Sequence, residues 1–126
     1  MSGPDTIELS VPLRPEYAAQ LRLLVASVGS EAGFTVDELD DLRLAVSEVF
    51  TLLLQDADVD RTARAVLQVT IDDPGVTMTV GRTGAAEVPE IDALATTILT
   101  AVVDDFSVVP GGVALSKRAV ESAASP

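Results

Sequence analysis

The chain has 126 residues, 48% of them hydrophobic and 22% charged, which is enough apolar side chain for a packed core and too much for a mainly disordered chain. It holds no cysteine and no histidine, so disulfides, thiolate nucleophiles, imidazole metal ligands and Ser-His-Asp triads are excluded, and a metal site would have to rest on oxygen ligands, as Mg²⁺ or Ca²⁺ allow. With 8 basic against 20 acidic residues and a net charge of −12, the surface repels nucleic-acid backbones and anionic membranes and suits basic faces of proteins, although solubility alone also accounts for it.

IELSVPL, residues 7–13, alternates as an edge strand, with Ile7, Leu9 and Val11 on one side and Glu8 and Ser10 on the other. Pro12 and Pro15 close it. A first helix follows, with Tyr17, Leu21, Leu24, Val25 and Val28 at helical spacing and Pro15 in its first turn; the Gly29 to Gly33 region ends it. Thr35 followed by Glu38 fits a capping box at the start of a second helix, about five turns long. Leu39, Leu42, Val46, Val49 and Leu53 form its core stripe, and it fades in the polar run DADVDR. ARAVLQVTID and VTMTVGRTG pair as a hairpin around the turn DDPG, with Val76, Met78 and Val80 on one face. A loop and a third helix follow, with Ile91, Leu94, Ala95, Ile98, Leu99 and Val102 as its periodic residues. Two short strands, 106–109 and 112–118, turn around Pro110, Gly111 and Gly112, and SKRAVESAASP ends the chain as a tail or short helix.

The order strand, helix, helix, hairpin, helix, hairpin predicts an α/β two-layer sandwich: a mostly antiparallel mixed sheet of about five strands with three helices on one face. One domain is expected over 1–126, with its ordered core at about 7–120. No apolar run approaches the ~18 residues of a membrane span. MSGPDTIELS lacks the basic-then-apolar order of a secretion signal, so a cytoplasmic protein is expected.

Few residues offer chemistry. Glu48 lies in the second helix among aliphatic neighbours, and one turn on, where a polar partner would share its face, the chain has Leu52. Read alone, Glu48 is either a functional acid or a carboxylate at the helix edge that meets water. Asp104 and Asp105 follow the third helix and either face solvent, pair with Lys117 or Arg118, or meet a basic partner. Asp72 and Asp73 suit the Pro-Gly turn. Arg82, within GRTG, hints weakly at an anion site; the stretch is neither a P-loop nor a GxGxxG.

Three stretches together resemble the anti-sigma regulatory factors, the serine-kinase-type members of the superfamily that shares its ATP-binding (Bergerat-type) fold with histidine kinases and gyrase. They are IELSVPLRPEYAAQLRLLVASVGSEAGFTVDELDDLRLAVSEVFT, which includes Arg22, Gly33 and Phe34, then TTILTAVVDDFSV, and GGVALSKRAV. The likeness spans roughly 7–120 and lies in their order and spacing. The family's ATP-site helix reads S-E-x-x-x-N, its Glu acting as base and its Asn holding Mg²⁺ and phosphates. Ser47 and Glu48 match the first part, and Leu52, which has no lone pair to offer a metal, replaces the Asn. The family's D-x-G-x-G appears here as VGRTGAAEV with no preceding Asp, and PEIDALATT has no phosphate-cradling glycine. The eight-residue span from Gly84 to Asp92 is short for a lid over a triphosphate.

The resemblance, with these departures, implies a degenerate member. Its expected role is a regulatory protein-interaction module in bacterial transcription control, without ATP binding or kinase activity. Glu48 is then a relic, no residue is assigned to cofactor or metal, and the partner is a sigma factor or an anti-anti-sigma-like protein. Homodimerisation through the sheet or the first helix is the family's habit. The alternative is an ATP- and Mg-dependent protein-serine kinase with Glu48 as base, and a third reading keeps the pocket, now apolar at Leu52, for another small molecule.

Overall fold

The computed structural model describes residues 5–55, 62–72, 75–84 and 90–119. The sequence-predicted fading of the second helix in DADVDR, the Asp73-Pro74 half of the turn, and the tail from 120 onward lie outside the described residues. Among the described residues, five strands and three helices follow the expected order: β1 (Thr6–Pro12), α1 (Ala18–Glu31), α2 (Val36–Leu54), β2 (Arg64–Asp72), β3 (Gly75–Arg82), α3 (Ala93–Val102), β4 (Asp105–Val109) and β5 (Gly112–Arg118). A single 3₁₀ turn, Pro15–Tyr17, leads into α1 and takes Pro15 and Tyr17 out of the α-helix proper.

The strands form one sheet in the order β1-β2-β3-β5-β4, and all four pairings are antiparallel. Period-two alternation sorts the two faces. Ala65, Leu67, Val69, Val76, Met78, Val80, Val113 and Leu115 are buried under the helices. The opposite face is polar. Across β1 and β2 it carries a Thr6–Thr70 hydroxyl pair at 2.8 Å, Gln68 Nε2 donating to Glu8 Oε2 at 2.7 Å, and Arg64 Nε donating to Ser10 Oγ at 2.8 Å. An antiparallel sheet tolerates one wet face, so these cross-strand bonds need no second helix layer.

The capping box at α2 forms as the sequence predicts. Glu38 N–H donates to Thr35 Oγ1 at 3.2 Å, and Thr35 N–H donates to Glu38 Oε1 at 2.8 Å. Glu38 is buried at 6% exposure, so its carboxylate sits inside the joint between α1 and α2. Thr35→Ala is expected to lower unfolding free energy by about 1–2 kcal/mol in urea titration; an unchanged midpoint would remove the cap from the account of this helix. The preceding helix runs through Gly29 and stops at Glu31, so Gly33 alone, at φ 92°, makes the left-handed exit.

Helix α2 is the centre of the fold, packed against α1, α3, β3 and β5. Its sequence stripe is buried at Leu42, Val46, Val49 and Leu53, but Ala45, Phe50 and Leu52 are buried too. The buried arc is wider than one stripe because α1, α3 and the sheet all pack against the helix. Helix α3 shows the converse. Leu99 and Val102 are buried as predicted, whereas Leu94 is 70% exposed. The periodicity placed Leu94 in the core; the helix has the sheet and α2 on one side only, and Leu94 turns away from that side. No described helix is long and apolar enough to cross a membrane.

Candidate functional site

Helix α2 presents two flanks. Ser47 faces α1, where Arg22 Nη1 donates to its Oγ at a long 3.4 Å. Glu48, 100° further round the helix, faces the other way and is half-buried. Among the described residues it has no hydrogen bond or ion pair. Partial exposure is the cheaper placement for a carboxylate without a partner. Leu52, one turn on, is 6% exposed and belongs to the core cluster with Phe50 and Leu53. The Ser-Glu pair is thus held by a rigid helix, while the position four residues beyond Glu48 offers hydrocarbon.

Arg82 is placed differently from the sequence expectation. Its Nη1 donates to Leu53 O at 2.9 Å and to Gln55 O at 3.0 Å, capping the C-terminal end of α2. A cation there satisfies orphan carbonyls and opposes the negative end of the helix dipole. Arg82 therefore ties the end of β3 to the end of α2, and the anion hint gives way to a cap. Counted back from Gly84, Arg82 stands where a D-x-G pattern has its Asp. A guanidinium only donates, so that position has lost its acceptor as well as its negative charge. Nothing local in GRTG signals this role, because both acceptors come from a helix about thirty residues earlier.

At the other end of the sheet the acids and bases also pair differently from expectation. Asp104 Oδ2 accepts the backbone N–H of Arg118 at 2.6 Å, not its side chain. Lys117 points under the helices, donating to Val102 O at 2.8 Å and lying 3.5 Å from Asp41 Oδ2. It joins β5, the last residue of α3 and the first half of α2. The sequence offered Lys117 to Asp104 and Asp105 by nearness along the chain, but a strand sends alternate side chains to opposite faces, and Lys117 is on the helix side.

Among the described residues, two cavities lie away from Glu48. One, of about 540 Å³, is lined by Asp72, Thr77, Asp104, Asp105, Lys117 and Arg118 among others; a smaller one of about 190 Å³ lies at Gln68, Thr79, Gly81, Thr83 and Gly111. Neither includes Glu48, Phe50 or Leu52. Among the described residues no group of three or more carboxylates converges on a metal-sized space. Residues 85–89, between Gly84 and the start of α3, lie outside the described residues.

Comparison with known proteins places this arrangement. The family described as the histidine kinase-like ATPase domain matches residues 11–116. The chain is also similar to proteins named serine-protein kinase RsbW. The identity is 47% over 56 residues with that of Bacillus subtilis, covering 44% of this chain and 35% of the relative. With that of Bacillus velezensis it is 43% over 53 residues, covering 42% and 33%. The aligned segment thus spans about a third of the length of these curated relatives.

Proposed function

The chain belongs to the histidine kinase-like ATPase domain family, and from that premise we propose that it is a regulatory protein-interaction module of the anti-sigma type which neither uses ATP nor phosphorylates its partner. The observation that carries this reading is Leu52, a buried hydrocarbon at the place of the Asn in S-E-x-x-x-N. Its support comes from Arg82, a donor-only side chain at the place of the Asp in D-x-G, already engaged with Leu53 O and Gln55 O. These residues do not fit a Mg²⁺-nucleotide: one lost acceptor removes a metal ligand, and the other removes the reader of a base amino group. Losing a hydrogen bond to a charged group costs about 1.5–3 kcal/mol, and two such losses outweigh the benefit of a retained Glu48.

The relatives carry the name of serine kinases, and that activity is theirs. For this chain the partner is a regulatory protein, a sigma factor or an anti-anti-sigma-like protein, met in the cytoplasm, with a homodimer as one form in which it acts. Isothermal titration with Mg-ATP tests the reading. No saturable heat is expected up to millimolar nucleotide. Micromolar binding that Glu48→Gln weakens would replace this reading with that of a protein-serine kinase using Glu48 as base.

A further inference from the structure

We propose that the outer edge of β4 is where a second copy of this chain adds, strand against strand and antiparallel about a two-fold axis at Ser107, so that the two five-stranded sheets run on as one. The proposal rests on the homodimer named above and adds its edge and its register.

Backbone parity decides what that edge offers. Arg82 N–H donates to Gly111 O at 2.9 Å, one step beyond the Gly81–Gly112 pair, so the odd residues of β5 turn their backbone groups toward β3 and the even ones toward β4. Asp104 N–H, donating to Ser116 O at 2.9 Å, agrees with this. Asp105, Ser107 and Val109 stand opposite Ser116, Ala114 and Gly112, and their backbone groups are engaged with β5. Phe106 and Val108 instead point their N–H and C=O out of the sheet edge, and among the described residues nothing meets them. Their side chains lie on the helix side, opposite Leu115 and Val113, and Val108 is 59% exposed.

The other edge of the sheet is built differently. Leu13 N–H donates to Ala63 O and Ile71 N–H to Asp5 O, which leaves the even residues of β1 facing outward. Among them are Glu8 and Pro12, a charge and a residue with no N–H, both of which hinder pairing at an edge strand. The outward positions of β4 carry neither.

The register follows from the same parity. Phe106 and Val108 hold the free backbone groups, so even residues must oppose even ones. With Ser107 on the axis, Phe106 of each copy stands opposite Val108 of the other. Both backbone bonds are exchanged at each such pair, and an aromatic side chain meets a β-branched one. A slip in one direction sets Asp104 opposite Val108, and the Asp104 N–H is already given to Ser116 O. A slip in the other sets Pro110, which has no N–H to give, opposite Phe106. In the favoured register Asp105, the single acid of β4, faces the other copy's Val109, so no like charges oppose each other. The edge is complementary to itself, as a two-fold contact requires.

Sedimentation velocity over a concentration series tests the assembly, and the wild-type chain is expected to pass from monomer to dimer. Val108→Pro deletes an outward N–H and no bond of the β4–β5 ladder. It should raise the dimer dissociation constant about ten-fold or more with unchanged far-ultraviolet circular dichroism. The chain has no cysteine, so Ser107→Cys sets one thiol per copy at the axis. That pair is non-hydrogen-bonded, with Cα atoms about 4.5 Å apart and within disulfide reach. Mild oxidation with diamide should give a covalent dimer on a non-reducing gel, whereas Ser27→Cys, exposed on α1, should stay monomeric. A wild-type chain that remains monomeric throughout would overturn both the edge and the homodimer. A dimer indifferent to Val108→Pro, or one trapped through Ser27→Cys and not through Ser107→Cys, would keep the homodimer and overturn the β4 edge. Neither result bears on nucleotide use, which the Mg-ATP titration decides.

Discussion

Leu52→Asn, which rewrites the helix to S-E-x-x-x-N, is expected to destabilise the protein by about 3–5 kcal/mol and to bring no Mg-ATP binding. Leu52 belongs to the core cluster at 6% exposure, so the change forfeits the burial of a leucine side chain, about 1.5–3 kcal/mol. It also places an amide where hydrocarbon neighbours offer no partner, a further cost of about 1–3 kcal/mol. Urea unfolding reads the first effect as a lower midpoint at an unchanged slope. Titration of the folded variant with Mg-ATP reads the second. Recovered stability with micromolar nucleotide binding would mean that Leu52 covers an otherwise intact site, and the interaction module would have to be reconsidered as a kinase one substitution from activity.

Gly112→Ala is the second large effect, expected to cost about 2–4 kcal/mol. Gly112 stands opposite Gly81 on β3 and Val109 on β4, just after the β4–β5 turn. A methyl group there would come 2.2 Å from Val80 O and 2.6 Å from Gly81 Cα, both backbone atoms of the central strand. Side chains can move aside, but these atoms are held in the ladder, so the strain falls on the β3–β5 register. Thermal unfolding of the variant should show a loss well beyond that of Thr35→Ala. A loss no larger than that of Thr35→Ala would mean that the hairpin yields freely at this point.

The elements were legible where their signal is local. The Thr35–Glu38 pair announces the start of α2 within four residues, and the period-two run of Val76, Met78 and Val80 fixes which face of β3 is covered. Leu52 was legible as a departure from a spacing, four residues after Glu48. What escaped was set by contacts distant along the chain. Arg82 reads as part of a glycine-rich loop until the end of α2 is brought beside it. Lys117 reads as a partner for neighbouring acids until the pleat sends it beneath the helices. Leu94 keeps the helical period perfectly well and is exposed, because periodicity tells which residues share a face and not how far the neighbouring layer extends. Phe50 and Leu52 fall outside the stripe that periodicity predicts for α2 for the complementary reason: a helix covered by α1, α3 and the sheet buries more than one face.

The pairing of β1 has a consequence for how fast the chain can reach its native state. The two hairpins, β2–β3 and β4–β5, join neighbours along the chain, and the α1–α2 pair is equally local. Strand β1 instead finds its partner far away, with Thr6 opposite Thr70 at a separation of 64 residues and both long helices enclosed between them. Closing that loop costs chain entropy before any of its ladder bonds repay it. The β3–β5 pairing closes a shorter loop, with Gly81 opposite Gly112 and α3 and β4 enclosed, so β1 is the natural last strand to be registered and the first to be released. The search for one edge strand, more than the packing of the core, then governs the folding time of this protein.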